Sequence, residues 1–113
     1  MPAFERGTVV RVPFPYTDRP IRQRRPALVV SAEGLGDGGQ LLWVVMITSA
    51  ENRRWPRDIA LVDNYAEVGL PAPSLIRPSK IATIETTHAE PLGHVDQATL
   101  LRLDQALRDQ LGL

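Results

Sequence analysis

The sequence predicts a mainly β fold, a small and strongly bent antiparallel sheet or barrel with one C-terminal α-helix covering an opening. Three observations predict it. Short apolar runs rich in β-branched residues recur from Thr8 to Ile84, Gly and Pro clusters separate them, and beyond Asp96 the apolar period changes from that of a strand to that of a helix.

Thr8-Val9-Val10-Arg11-Val12 follows Gly7 and is interrupted by Pro13 and Pro15, so a first strand is expected from about Gly7 to Phe14. Tyr16 to Arg24 has no apolar periodicity and reads as an exposed loop. Pro26 to Ser31 is a second strand, and Leu41 to Thr48 a third. Between them Gly34, Gly36, Gly38 and Gly39 mark a hairpin turn. Asp58 to Val62 gives a fourth strand, and Asn64 to Pro73 is turn-rich and irregular. Ser74 to Arg77 and Lys80 to Ile84 read as two short strands, because Pro78 argues against one long uninterrupted strand. Leu100, Leu103 or Ala106, Leu107 and Leu111 then recur at helical steps behind Asp96, a suitable N-cap. Trp43, inside an apolar strand, is expected in the core.

At 113 residues and 43% hydrophobic content the chain suits one domain, 1–113, with a single core. The absence of cysteine excludes disulfides, thiolate nucleophiles and sulfur-ligated metals. The start of the chain lacks the apolar segment of a signal peptide, and the apolar runs are too short for a membrane helix, so a cytoplasmic location without membrane association is expected.

Net charge is zero, which taken alone argues against nucleic-acid binding. The distribution argues the other way. Arg6, Arg11, Arg19, Arg22, Arg24 and Arg25 crowd the first quarter, Arg53, Arg54 and Arg57 follow Thr48, and Lys80 is the single lysine. Such a bias favours forked recognition of phosphate or carboxylate over diffuse attraction, although a solvated charged face reads the same way.

Arg25 stands where a loop enters a buried strand, and Thr48 where a buried strand meets solvent. A guanidinium and a hydroxyl held at neighbouring strand ends can grip one phosphate, which makes these two the candidate catalytic pair. The alternative for Arg25 is an ion pair with Asp18 or Asp58, and for Thr48 a backbone cap. Ser31 and Ser49 are supporting donors to phosphate. Thr17, Arg22, Gln23 and Arg24 lie in or beside the loop leading to Arg25. Arg53 and Arg54 follow Thr48, and Tyr16 and Trp55 offer rings on which an unpaired base can stack. His88 and His94 lie remote from the basic cluster, lack the spacing of metal ligands and read as surface histidines; no metal or other cofactor is expected.

The ordered set Gly7-x-Val9-Val10-x-Val12-x-Phe14-Pro15-x-Thr17, Arg25-Pro26-Ala27-Leu28-Val29-Val30-Ser31, Ile47-Thr48-Ser49, Gly69-Leu70 before Ser74, and Lys80-Ile81-x-Thr83-Ile84 resembles the MazF/PemK toxins of type II toxin–antitoxin systems. The resemblance implies the SH3-like barrel of the CcdB/MazF-type toxins, a homodimer, and metal-independent endoribonuclease activity of the mRNA interferase kind. That activity cuts single-stranded RNA to 2′,3′-cyclic phosphate and 5′-hydroxyl ends. It implies catalytic roles for Arg25 and Thr48, and an acidic cognate antitoxin as partner. The loop before Arg25, Asp18-Arg19-Pro20-Ile21-Arg22-Gln23-Arg24, is more basic than the Gly-Ser-Glu-Gln type of better-known members. A CcdB-like gyrase inhibitor and a non-catalytic RNA- or protein-binding barrel are the alternatives.

Overall fold

A run of apolar residues with no polar alternation suits a strand whose sheet is covered on both faces. The computed structural model describes residues 4–15 and 23–113. Its strands are β1 (Thr8–Pro13), β2 (Arg24–Val29), β3 (Leu41–Ser49), β4 (Ile59–Leu61), β5 (Ser74–Glu85) and β6 (Glu90–His94), followed by α1 (Gln97–Leu111). The strands form one antiparallel sheet in the order β4-β5-β3-β2-β1-β6, curled into a half-barrel.

One face carries Val10, Val12, Ala27, Val29, Leu42, Val44 and Met46, packed with Phe4 and Phe14. The opposite face carries Val9, Leu28, Val45, Ile47, Ile59 and Ile76, and Leu103 of α1 seals it. Asp96 caps α1 by accepting from the Thr99 amide at 2.8 Å, and Gly112 ends it in a left-handed conformation at φ 74°. Leu103 and Ala106 are buried, whereas Leu111, expected in the same stripe, is 63% exposed. Gln110 nearby is tied to the Pro78 carbonyl at 2.6 Å.

Three further expectations need correction. The two short strands around Pro78 are one strand, β5, because β3 steps its register from the pair Val45–Ile81 to the pair Met46–Arg77. The residues between, Pro78 to Lys80, bulge out of the ladder, so the missing proline N–H breaks no bond. A sixth strand, β6, pairs with β1 where the sequence showed only Pro91 and Gly93 between two histidines. Trp43 is 51% exposed, paired with Thr83 on a part of the sheet that α1 leaves uncovered.

The loop after β4 closes against β6 through glycine. A Cβ on Gly69 (φ +86°) would lie 2.2 Å from the Leu92 carbonyl oxygen, and one on Gly93 would lie 2.3 Å from that of Val68. Backbones this close leave no room for any side chain.

Candidate active site

Backbone parity sets the site. The Val30 amide donates to Trp43 of β3, while the Val29 carbonyl accepts from Gly7 on the β1 side. Alternation along the strand therefore turns Leu28 and Pro26 toward β3, and Ala27 and Arg25 toward β1. Proline has no N–H to give. The β2–β3 ladder accordingly ends at the pair Ala27–Met46, whereas the β1–β2 ladder continues through Val12–Arg25 to Pro13–Arg24.

Past that last pair the two strands part, and a cleft of about 140 Å³ opens between them, lined by Arg25, Pro26, Ile47, Thr48, Ser49, Pro71, Ala72, Pro73 and Ser74. Arg25 and Thr48 thus share one cleft. Alternation puts Arg25 on the face of Ala27 and Thr48 on the face of Met46, and these two belong to the same packed cluster. Arg25 is half-buried, Thr48 is 5% exposed, and prolines make up much of the wall.

The loop after Thr48 is built back onto the site. Asn52 donates through Nδ2 to Thr48 Oγ1 at 2.7 Å, and its amide donates to the Ser49 carbonyl at 3.1 Å. Ser49 Oγ accepts from the Glu51 amide at 3.1 Å. Farther along, Asp58 and Arg77 form a buried pair whose Nη2–Oδ2 distance is 2.9 Å. Asp58 also accepts from the Trp55 amide at 2.9 Å, and Arg77 donates to the Arg53 carbonyl at 2.8 Å. The Arg77 guanidinium stands 4.0 Å from the centre of the Trp55 ring, with Lys80 at 5.5 Å.

The sequence-predicted residues are placed unevenly around this cleft. Arg25, Thr48 and Ser49 line it. Gln23 is exposed just before β2, and Arg24 turns toward the Arg11 carbonyl at 3.2 Å and Glu90 at 3.6 Å rather than into the cleft. Ser31 lies past the far end of β2, about 20 Å along the strand direction from Arg25. Its hydroxyl there accepts from the Trp43 amide at 3.0 Å. Arg53 is exposed, Arg54 donates to the Asp58 carbonyl at 3.1 Å, and Trp55 is engaged by Arg77. Tyr16, Thr17 and Arg22 lie outside the described residues. Of the two acids weighed as partners for Arg25, Asp58 bonds Arg77, and Asp18 lies outside the described residues. Sequence reasoning missed Asn52, Arg77 and the wall Pro71–Ala72–Pro73; only the prolines carried a local signal.

Among the described residues no helix is long and apolar enough to cross a membrane. Comparison with curated proteins finds no match. Solved structures similar in fold include MazF from Deinococcus radiodurans, at TM-score 0.75 and 20% identity over 100% of both chains. A mycobacterial endoribonuclease in complex with its cognate antitoxin aligns at TM-score 0.74 and 24% identity, over 96% of this chain and 95% of that one. The Mycobacterium tuberculosis toxin MazF-mt6 aligns at TM-score 0.69 and 18% identity, over 93% and 97%. Residues 5–111 match the family of PemK-like, MazF-like toxins of type II toxin–antitoxin systems, and with nearly its whole length accounted for the chain belongs to that family.

Proposed function

We propose that this toxin is a metal-independent, sequence-specific endoribonuclease that cuts single-stranded RNA in the cleft between β2 and β3. The observation that carries the reading is the convergence of Arg25 and Thr48 on one cleft at the point where Pro26 ends the ladder. In-line attack by the neighbouring 2′-oxygen forms a new bond to phosphorus and breaks the bond to the 5′-oxygen. The products are a 2′,3′-cyclic phosphate and a 5′-hydroxyl. The Arg25 guanidinium stabilises the charge on the equatorial oxygens, and Thr48 donates to one of them. The 2′ proton passes to water, and water returns one to the leaving oxygen.

The exposed loop 49–54, beside the cleft, reads the flanking bases. Growth inhibition follows from RNA loss. An acidic antitoxin segment covers Arg25 and competes with RNA through carboxylates, and the active form is a homodimer. The antitoxin complex of the mycobacterial relative supports the first of these. Sequencing RNA 5′ ends after brief expression tests the reading. New 5′-hydroxyl ends at a recurrent motif are expected, and Arg25→Ala should remove them together with growth arrest. Arrest with intact RNA and inhibited gyrase supercoiling would replace it with the CcdB-like alternative.

A further inference from the structure

Among the groups around the cleft, Asn52 has the most direct chemical consequence, because it lines no part of the cleft itself yet bonds the hydroxyl of a residue that does. A threonine hydroxyl owns one proton and two acceptor lone pairs. Asn52 Nδ2 donates into one of those lone pairs at 2.7 Å, on a side chain only 5% exposed. With that bond made, Thr48 Oγ1 is an acceptor toward the loop, and its proton is left to donate elsewhere. The cleft that Thr48 lines is where a phosphate oxygen would receive it.

Asn52 is itself anchored. Its amide bonds the Ser49 carbonyl at 3.1 Å, and the carbonyl of the next residue, Arg53, is held by buried Arg77 at 2.8 Å. Arg77 is fixed in turn by Asp58, with Nη2–Oδ2 at 2.9 Å. From this chain of bonds we infer that Asn52 is a positioning residue, which sets the direction of the Thr48 hydroxyl so that it donates to the scissile phosphate. The inference rests on the ribonuclease reading above and deepens it.

Three proteins test it in an RNA-cleavage assay with a single-stranded oligonucleotide that contains the cleaved motif. Asn52→Leu removes the donor. Asn52→Asp keeps the shape but reverses the bond, because an ionised carboxylate can only accept and would draw the Thr48 proton away from the cleft. Asn52 is exposed, so both variants are expected to fold. The expected order of kcat is wild type, then Asn52→Leu, then Asn52→Asp, the last down by about tenfold or more, as for loss of one charge-assisted hydrogen bond. Charge repulsion alone would instead appear in KM. The Asn52→Asp rate should partly recover as the pH falls through the carboxylate range, where a protonated acid regains a donor.

A purely structural role predicts the opposite order, with the isosteric Asp milder than Leu. That order, or wild-type kcat in Asn52→Asp, overturns the inference while leaving the ribonuclease reading intact. A wild-type protein that cleaves no RNA overturns both.

Discussion

Arg77 grips Asp58 with two nitrogens: Nε lies 3.2 Å from both carboxylate oxygens and Nη2 lies 2.9 Å from Oδ2, in surroundings where the two side chains are 8% and 0% exposed. The pair fastens the loop after Thr48 to β5, since the same two side chains hold the Trp55 amide and the Arg53 carbonyl. The same bonds commit the Asp58 carboxylate to a structural role.

Removing one partner strands a buried charge. Arg77→Ala or Asp58→Ala is therefore expected to destabilise the fold by about 3–5 kcal/mol, and replacing both by apolar residues of similar volume to cost much less. Urea unfolding of the two single variants and of Asp58→Leu/Arg77→Met checks this. Equal losses in single and double variants would mean that the pair contributes little beyond packing.

Trp43 gives the opposite expectation. Half-exposed and paired with Thr83 across the strands, it should tolerate Trp43→Ser at a cost of about 1 kcal/mol, the scale of one cross-strand pair. A truncated core tryptophan costs about 3–5 kcal/mol. Thermal denaturation separates the two magnitudes.

Gly69→Ala is expected to destabilise by at least about 1–3 kcal/mol, because the added carbon would meet the Leu92 carbonyl oxygen at 2.2 Å in a backbone with φ +86°. The loss should appear as faster amide exchange in β6, where that loop covers the strand.

The helix cap makes stability depend on pH. The Asp96 carboxyl titrates below its ordinary value of 3.8, chiefly because the Thr99 side chain hydrogen-bonds it and then because the Thr99 amide does. A carboxyl with a lowered folded-state pKa stabilises the fold fully above the ordinary carboxylate range and loses that contribution as pH falls through and below it. Wild type should therefore lose more stability than Asp96→Asn between pH 5 and pH 3, as melting curves would show. The two should converge in the acid limit.

Much of this architecture was legible in the sequence for a physical reason. Runs such as Ala27–Val30 and Leu41–Ile47 carry their burial in composition, and Asp96 announces the helix because a cap needs a short acceptor. Arg25 and Thr48 could be paired from sequence because each stands at the end of an apolar run, and both line one cleft. What stayed hidden depends on contacts distant in sequence. Residues Glu90–His94 become a strand only because β1 offers an edge, Pro78 fits β5 only because a bulge carries it, and Trp43 is exposed only because α1 stops short of it. The bonds from Asn52 to Thr48 and from Arg77 to Asp58 have no sequence signature. Any Asn or Arg in a polar loop reads the same until the chain is folded.

The central claim is that a guanidinium from β2 and a hydroxyl from β3 act on the same phosphodiester, and single-turnover cleavage of a single-stranded RNA in the presence of a chelator tests it most directly. Wild type should leave 5′-hydroxyl ends without added metal, Arg25→Ala and Thr48→Val should each slow the step by about a hundredfold or more, and the double variant should be little worse than either. Cleavage that needs a metal ion, or that proceeds at the wild-type rate in either single variant, would contradict the account.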